Sequence, residues 1–89
     1  MTYYERIKYI ANECLKNEIP FEMSPIFDGW QIKFNWANGA DAAAHFGTYG
    51  SDSDKVETYQ FPWDKGDVSV FSPEMAFLNI KNLWNKRKS

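Results

Sequence analysis

Apolar and polar residues alternate along this chain with two different periods, a helical one of about 3.6 residues at each end and a strand-like one of 2 in between. At the N-terminal end Tyr3, Ile7, Ile10, Ala11, Cys14 and Leu15 fall on one helical stripe, with Glu5, Arg6, Glu13 and Lys16 mainly off it. Thr2 followed three residues later by Glu5 is a capping box and sets the helix start at Tyr3. Asn17 suits a C-terminal cap, and Pro20 prevents continuation. At the other end Ala76, Phe77, Ile80, Leu83 and Trp84 form a second stripe. Ser72 is its N-cap, Pro73 its first helical residue, and Glu74 the acid in its first turn. Lys86, Arg87 and Lys88 complement the negative end of its dipole.

The period-2 region begins as a hairpin. Asp28-Gly29 is a preferred two-residue turn, and centring the hairpin there pairs Phe27 with Trp30, Pro25 with Ile32, Met23 with Phe34 and Phe21 with Trp36. The other face pairs Ile26 with Gln31, Ser24 with Lys33 and Glu22 with Asn35. A slip of one residue would scramble both faces, so pattern and turn point to one register. Pro25 lacks an N–H and marks the first strand as an edge.

Asn38-Gly39 signals a second turn, which folds Ala40 to Phe46 back beside Trp30 to Ala37, with Ala43 opposite Phe34 and His45 opposite Ile32. Alanine is a poor strand former, and a short helix over 40–46 is the alternative. Small side chains on that inner face leave room for a helix to pack closely. Gly47 to Asp54 reads as a loop, Lys55 to Phe61 as a strand, Pro62 to Gly66 as a turn and Val68 to Phe71 as a short strand.

The predicted order is α-β-β-β-β-(β)-α. Strands clustered between two helices imply an α+β domain over residues 1–89, with three to five antiparallel strands and both helices on one face.

Composition sharpens this only in places. The chain has seven Phe, four Trp and five Tyr in 89 residues. A buried aromatic contributes roughly 4–6 kcal/mol at most by area, against an ordering cost on the order of 1.5 kcal/mol per residue. Aromatic burial is therefore how a domain this short tips the balance without staples. The single Cys14 forms no internal disulfide, which agrees with a reducing compartment. The segment Met1 to Arg6 lacks an apolar signal-peptide core, and no run is long enough to span a bilayer, so a cytoplasmic location and no membrane partner are expected. A net charge of −2 suggests neither a nucleic-acid binder by bulk electrostatics nor a DNA mimic.

Candidate chemistry is sparse. One His and one Cys on different elements do not make a zinc site, and Ser51-Asp52-Ser53-Asp54 lacks the glycine and distal glutamate of an EF-hand. His45 with Asp41 would share a strand face roughly 13 Å apart, too far for contact, whereas a helix would make them neighbours. Cys14 reads as a small buried hydrophobe. No glycine-rich phosphate cradle occurs. Neither a metal, a cofactor nor an enzymatic activity is expected.

The element order resembles that of the double-stranded-RNA-binding domain, which places lysines at the start of its last helix. Here that position reads Ser72-Pro73-Glu74-Met75, and the hairpin turn lacks the family's Gly-Pro-x-His, so the resemblance is topological only. The basic set Lys81, Lys86, Arg87 and Lys88 is the candidate phosphate contact on that reading. Separately, Asp41-Ala42-Ala43-Ala44-His45-Phe46-Gly47-Thr48-Tyr49-Gly50, Phe61-Pro62-Trp63-Asp64 and Asp67-Val68-Ser69-Val70 together resemble a pattern in small uncharacterised proteins of phages and prophages of Gram-positive bacteria. That resemblance implies a mobile-element accessory protein that binds a host or phage macromolecule, and it groups Asp41, His45, Tyr49 and Gly50 in one feature.

Aromatic residues placed in loops are natural interface anchors. The expected function is a non-catalytic protein-binding module using Tyr49, Asp52, Asp54, Trp63 and His45. Trp63 has the alternative of folding back over one end of the core. Nucleic-acid binding through the last helix is the second reading, and homodimerisation through a sheet edge such as the Pro25 strand a third.

Overall fold

A computed structural model describes residues 1–88. The elements are α1 (Tyr3–Lys16), β1 (Glu22–Ile26), β2 (Gly29–Phe34), a 3₁₀ turn (Asn35–Ala37), β3 (Ala40–Ala44), β4 (Val56–Tyr59), β5 (Val68–Phe71) and α2 (Pro73–Lys88). The five strands form one antiparallel meander in the order β1-β2-β3-β4-β5, with the Pro25 strand at one edge and β5 at the other. Helix α1 packs over β2 and β3, α2 over β4 and β5, and the helices touch each other, so both lie on one face.

The helix ends form as their residue types require. Thr2 Oγ1 accepts from Glu5 N at 3.0 Å while Glu5 Oε1 accepts from Thr2 N at 2.8 Å, completing the capping box. Ser72 Oγ accepts from Met75 N at 3.2 Å at the start of α2. Asn17 caps α1, and Ile19 N donates to Cys14 O at 2.9 Å as the chain turns away through Glu18 at φ +57°.

Between the layers lies a core of Ile7, Ile10, Cys14, Ile32, Phe34, Val56 and Ile80, all fully buried, each large aliphatic side chain contributing about 1.5–3 kcal/mol. Two stripe assignments change at α1: Leu15 is 64% exposed, whereas Arg6 is buried. Arg6 is held by backbone carbonyls, Nη2 donating to Met1 O at 2.9 Å and Nη1 to Lys55 O at 3.1 Å.

Both hairpin registers differ from the sequence expectation. In the first, Pro25 pairs with Trp30 and Met23 with Ile32, so the turn is Phe27-Asp28 and Gly29 belongs to β2. Moving a two-residue turn by one position shifts the pairing by two and leaves every side chain on its face, so the apolar pattern is satisfied equally by both registers. Gly29 decides: a β-carbon there would overlap the carbonyl of Ala44, so this glycine serves close approach by β3 instead of a turn. Phe27, expected inside, takes the turn position at φ +52° and is 76% exposed.

In the second hairpin β3 is a strand, as favoured. Its register is Phe34 with Ala40 and Ile32 with Ala42, because Asn35–Ala37 winds into a 3₁₀ turn before Asn38 and Gly39 reverse the chain. The three-residue offset inverts the faces. Ala40, Ala42 and Ala44 are fully buried toward the helices, and Asp41 and Ala43 occupy the opposite side. His45, expected opposite Ile32 under a helix, lies beyond the end of β3 instead.

Candidate interaction surface

Because both helices cover one face of the sheet, the other faces outward. Its central rows are Lys33, Asp41 and Tyr59, then Gln31, Ala43, Glu57 and Val70. Gln31 Nε2 donates to Asp41 Oδ2 at 2.6 Å. Partial burial pushes the Asp41 carboxyl above its ordinary range, with the Glu57 charge adding to the rise and the Gln31 hydrogen bond opposing it.

The β1–β2 turn, the end of β3 and the loop after it meet at one end of this sheet. Asp28 Oδ1 accepts from Phe46 N at 3.0 Å, joining turn to loop. Thr48 closes a short turn, its hydroxyl donating to His45 O at 2.8 Å. Gly47 N donates to His45 Nδ1 at 3.0 Å. These bonds gather three rings, with centroid separations of 5.0 Å for Phe27–His45, 6.1 Å for Phe27–Phe46 and 5.9 Å for His45–Phe46. Tyr49 N donates to Glu57 Oε2 at 2.8 Å, tying the loop to the outward face. Phe46 is 68% and Tyr49 70% exposed, so this end presents apolar rings to solvent on a hydrogen-bonded frame.

Of the residues singled out from sequence, His45 and Tyr49 stand here. Asp52 and Asp54 lie on the same loop, but Asp54 turns toward α1, 2.6 Å from the α-amino group of Met1 and 3.6 Å from Arg6 Nη2. The hydrogen bond and charge of that amine hold the Asp54 carboxyl below its ordinary range. Asp52 accepts from Ser53 Oγ at 3.3 Å. Trp63 is elsewhere: it stacks on Phe61 at 4.4 Å and 8°, and its Nε1 donates to Thr58 Oγ1 at 3.1 Å. Thr58 Oγ1 in turn donates to the buried Asp64 carboxylate at 2.9 Å, which also accepts from Phe61 N. Trp63 thus closes the core over β4, the packing alternative, within a polar network the sequence did not reveal.

Phe27 and Phe46 were missed as surface residues. The available signal was Phe46 itself, an aromatic directly after His45 and before Gly47, where strand alternation stops.

The basic residues of α2 do not form one strip. At about 100° per residue, Lys86 and Arg87 lie about 140° and 240° around the axis from Lys81. Arg87 sits over the Trp84 ring, 5.5 Å from its centroid. The side chain of Lys88 lies outside what the structure describes.

Cys14 is fully buried, and burial pushes its thiol up to about 12. No group of three or more His, Cys, Asp or Glu able to hold a metal ion occurs among the described residues, and none of their helices is long and apolar enough to cross a membrane. No family model, curated protein or solved structure matches the chain.

Proposed function

We propose that this chain is a non-catalytic protein-binding module that engages its partner through Phe27, His45, Phe46 and Tyr49 at the open end of the sheet. The observation that carries this reading is Phe27, a large apolar ring 76% exposed on a backbone at φ +52°. The left-handed conformation costs a side-chain-bearing residue roughly 1–2 kcal/mol, and an exposed ring recovers little of that by burial. Residues held in such conformations cluster at binding sites, and aromatic rings on a fixed frame supply interface anchors at small entropic cost. The resemblance to phage and prophage proteins makes a Gram-positive host or its phage the source of the partner.

The test is a tagged pull-down from Gram-positive lysate treated with nuclease, using the native chain and a Phe27→Ala, Phe46→Ala, Tyr49→Ala triple variant. A specific protein retained by the native chain and lost from the folded triple variant is the expected result. Equal retention by both would refute the assignment of this surface.

A further inference from the structure

The rings at the open end of the sheet stand beside two charges. Asp28 and Glu57 each give one carboxylate oxygen to the frame, Asp28 Oδ1 accepting from Phe46 N at 3.0 Å and Glu57 Oε2 from Tyr49 N at 2.8 Å. Both bonds end on the loop that carries Phe46 and Tyr49, so a carboxylate is anchored beside each of these exposed rings. The second oxygen of each carboxylate takes no part in these bonds. Among the described residues neither carboxylate forms an ion pair. The cations close by are placed otherwise. Lys33 stands in the register between Glu22 on β1 and Asp41 on β3. Lys55, two positions before Glu57, lays its stem beside Gly50.

A partner that covers Phe27 and Phe46 also takes Asp28 and Glu57 out of water, because the same loop holds rings and carboxylates. Burying a carboxylate without a counter-charge is strongly unfavourable, so a purely apolar partner would lose on the charges what it gained on the rings. An acidic partner, protein or nucleic acid, would add repulsion. A cation supplies the missing charge, and the faces of aromatic rings attract it as well. Arginine answers both features with one side chain. Its stem covers apolar surface, its guanidinium plane stacks on a ring, and its fork of N–H donors meets a carboxylate bidentately. Lysine brings a point charge and no plane.

We propose that the partner protein presents an exposed arginine-bearing segment to this surface, its guanidinium groups paired with Asp28 and Glu57 and laid against the rings of Phe27, His45, Phe46 and Tyr49. This rests on the reading of that surface as the binding site and names the chemistry it takes.

The experiment is a fluorescence-anisotropy titration with three labelled peptides of about ten residues, alternating glycine with arginine, with lysine or with glutamate, across a salt series. The arginine peptide is expected to bind the native chain tightest, the lysine peptide about tenfold more weakly and the glutamate peptide not at all, with affinity falling as salt rises. Asp28→Asn and Glu57→Gln remove the charges yet keep an oxygen able to accept from Phe46 N and Tyr49 N. Together they are expected to weaken the arginine peptide about tenfold or more. Asp67→Asn with Glu18→Gln removes the same charge at the other end of the sheet and should leave binding unchanged. Circular dichroism checks each fold; if the double variant does not fold, the two single variants carry the decision. No binding of the arginine peptide at low salt, equal affinity for the glutamate peptide, or an equal loss in the distant-charge variant would overturn the proposal. A protein captured from lysate equally by the native chain and the Asp28→Asn, Glu57→Gln variant, but lost from the Phe27→Ala, Phe46→Ala, Tyr49→Ala variant, would keep the binding surface and overturn only its preference for arginine.

Discussion

Gly29 lies so close to Ala44 that a β-carbon on it would stand 2.8 Å from the Ala44 carbonyl carbon and 2.9 Å from His45 Cα. That approach locks the first strand pair against the third and forces the turn onto Phe27-Asp28, which puts the Phe27 ring in solvent beside His45. The packing of a glycine thus creates the proposed binding surface.

Gly29→Ala is therefore expected to destabilise the fold by about 2 kcal/mol or more, because the clashing atoms are backbone. Phe27→Gly is expected to stabilise it by about 1 kcal/mol by relieving the left-handed strain. Urea unfolding of the two variants checks both signs. A turn at Asp28-Gly29 would make Phe27→Gly destabilising.

Thr58→Val keeps shape but removes the hydroxyl that donates to Asp64 and accepts from Trp63 Nε1. Two groups lose a partner inside the fold, and a loss of about 2–4 kcal/mol is expected. Trp63→Phe removes only one end of the network and should cost less. Denaturant midpoints with unchanged m-values would confirm that the loss is in stability.

Asp41 is raised above its ordinary range chiefly by burial. Such a group binds its proton more readily folded than unfolded, so its penalty is present above the folded pKa and is relieved as pH falls toward the unfolded value. Asp41→Asn, which can still accept from Gln31, should raise the thermal midpoint at neutral pH, with the advantage shrinking in acid. Glu5 acts oppositely. The Thr2 N–H, then the Thr2 hydroxyl, lower its pKa, so its capping contribution is present above its unfolded value and lost as pH falls through the folded one. Thermal melts of the native chain and Asp41→Asn between pH 3 and 7 separate the two, since only the Asp41 contribution disappears in the variant.

Cys14, fully buried with its thiol pushed up to about 12, should react with a thiol reagent only when the fold opens. Its labelling rate is expected to rise in step with global unfolding as urea is added. Fast labelling in native buffer would show that the α1 core opens locally.

The sequence alone determined the helices, their caps, the edge position of the Pro25 strand and the confinement of both helices to one face. The first three are local properties, since Thr2 and Glu5 cap within one turn, Pro25 cannot donate, and a period of 3.6 marks a helix. The shared face of the helices follows from the order of elements, strands clustered between two helices. The sequence also singled out Tyr49, a ring in a loop near glycines with no strand face to occupy, whereas His45, read as a strand residue opposite Ile32, lies beyond the end of β3. Registers were beyond it. A period of 2 is blind to a shift of two, which hid the turn at Phe27-Asp28, and the winding of Asn35–Ala37 inverted β3 in a way that a run of alanines could not signal. Only the tertiary structure decided these, since the approach of Ala44 to Gly29 and the meeting of Trp36 with Trp84 join residues far apart in the chain. Those contacts expose Phe27 at one end of the sheet and dock Trp36 on α2 at the other.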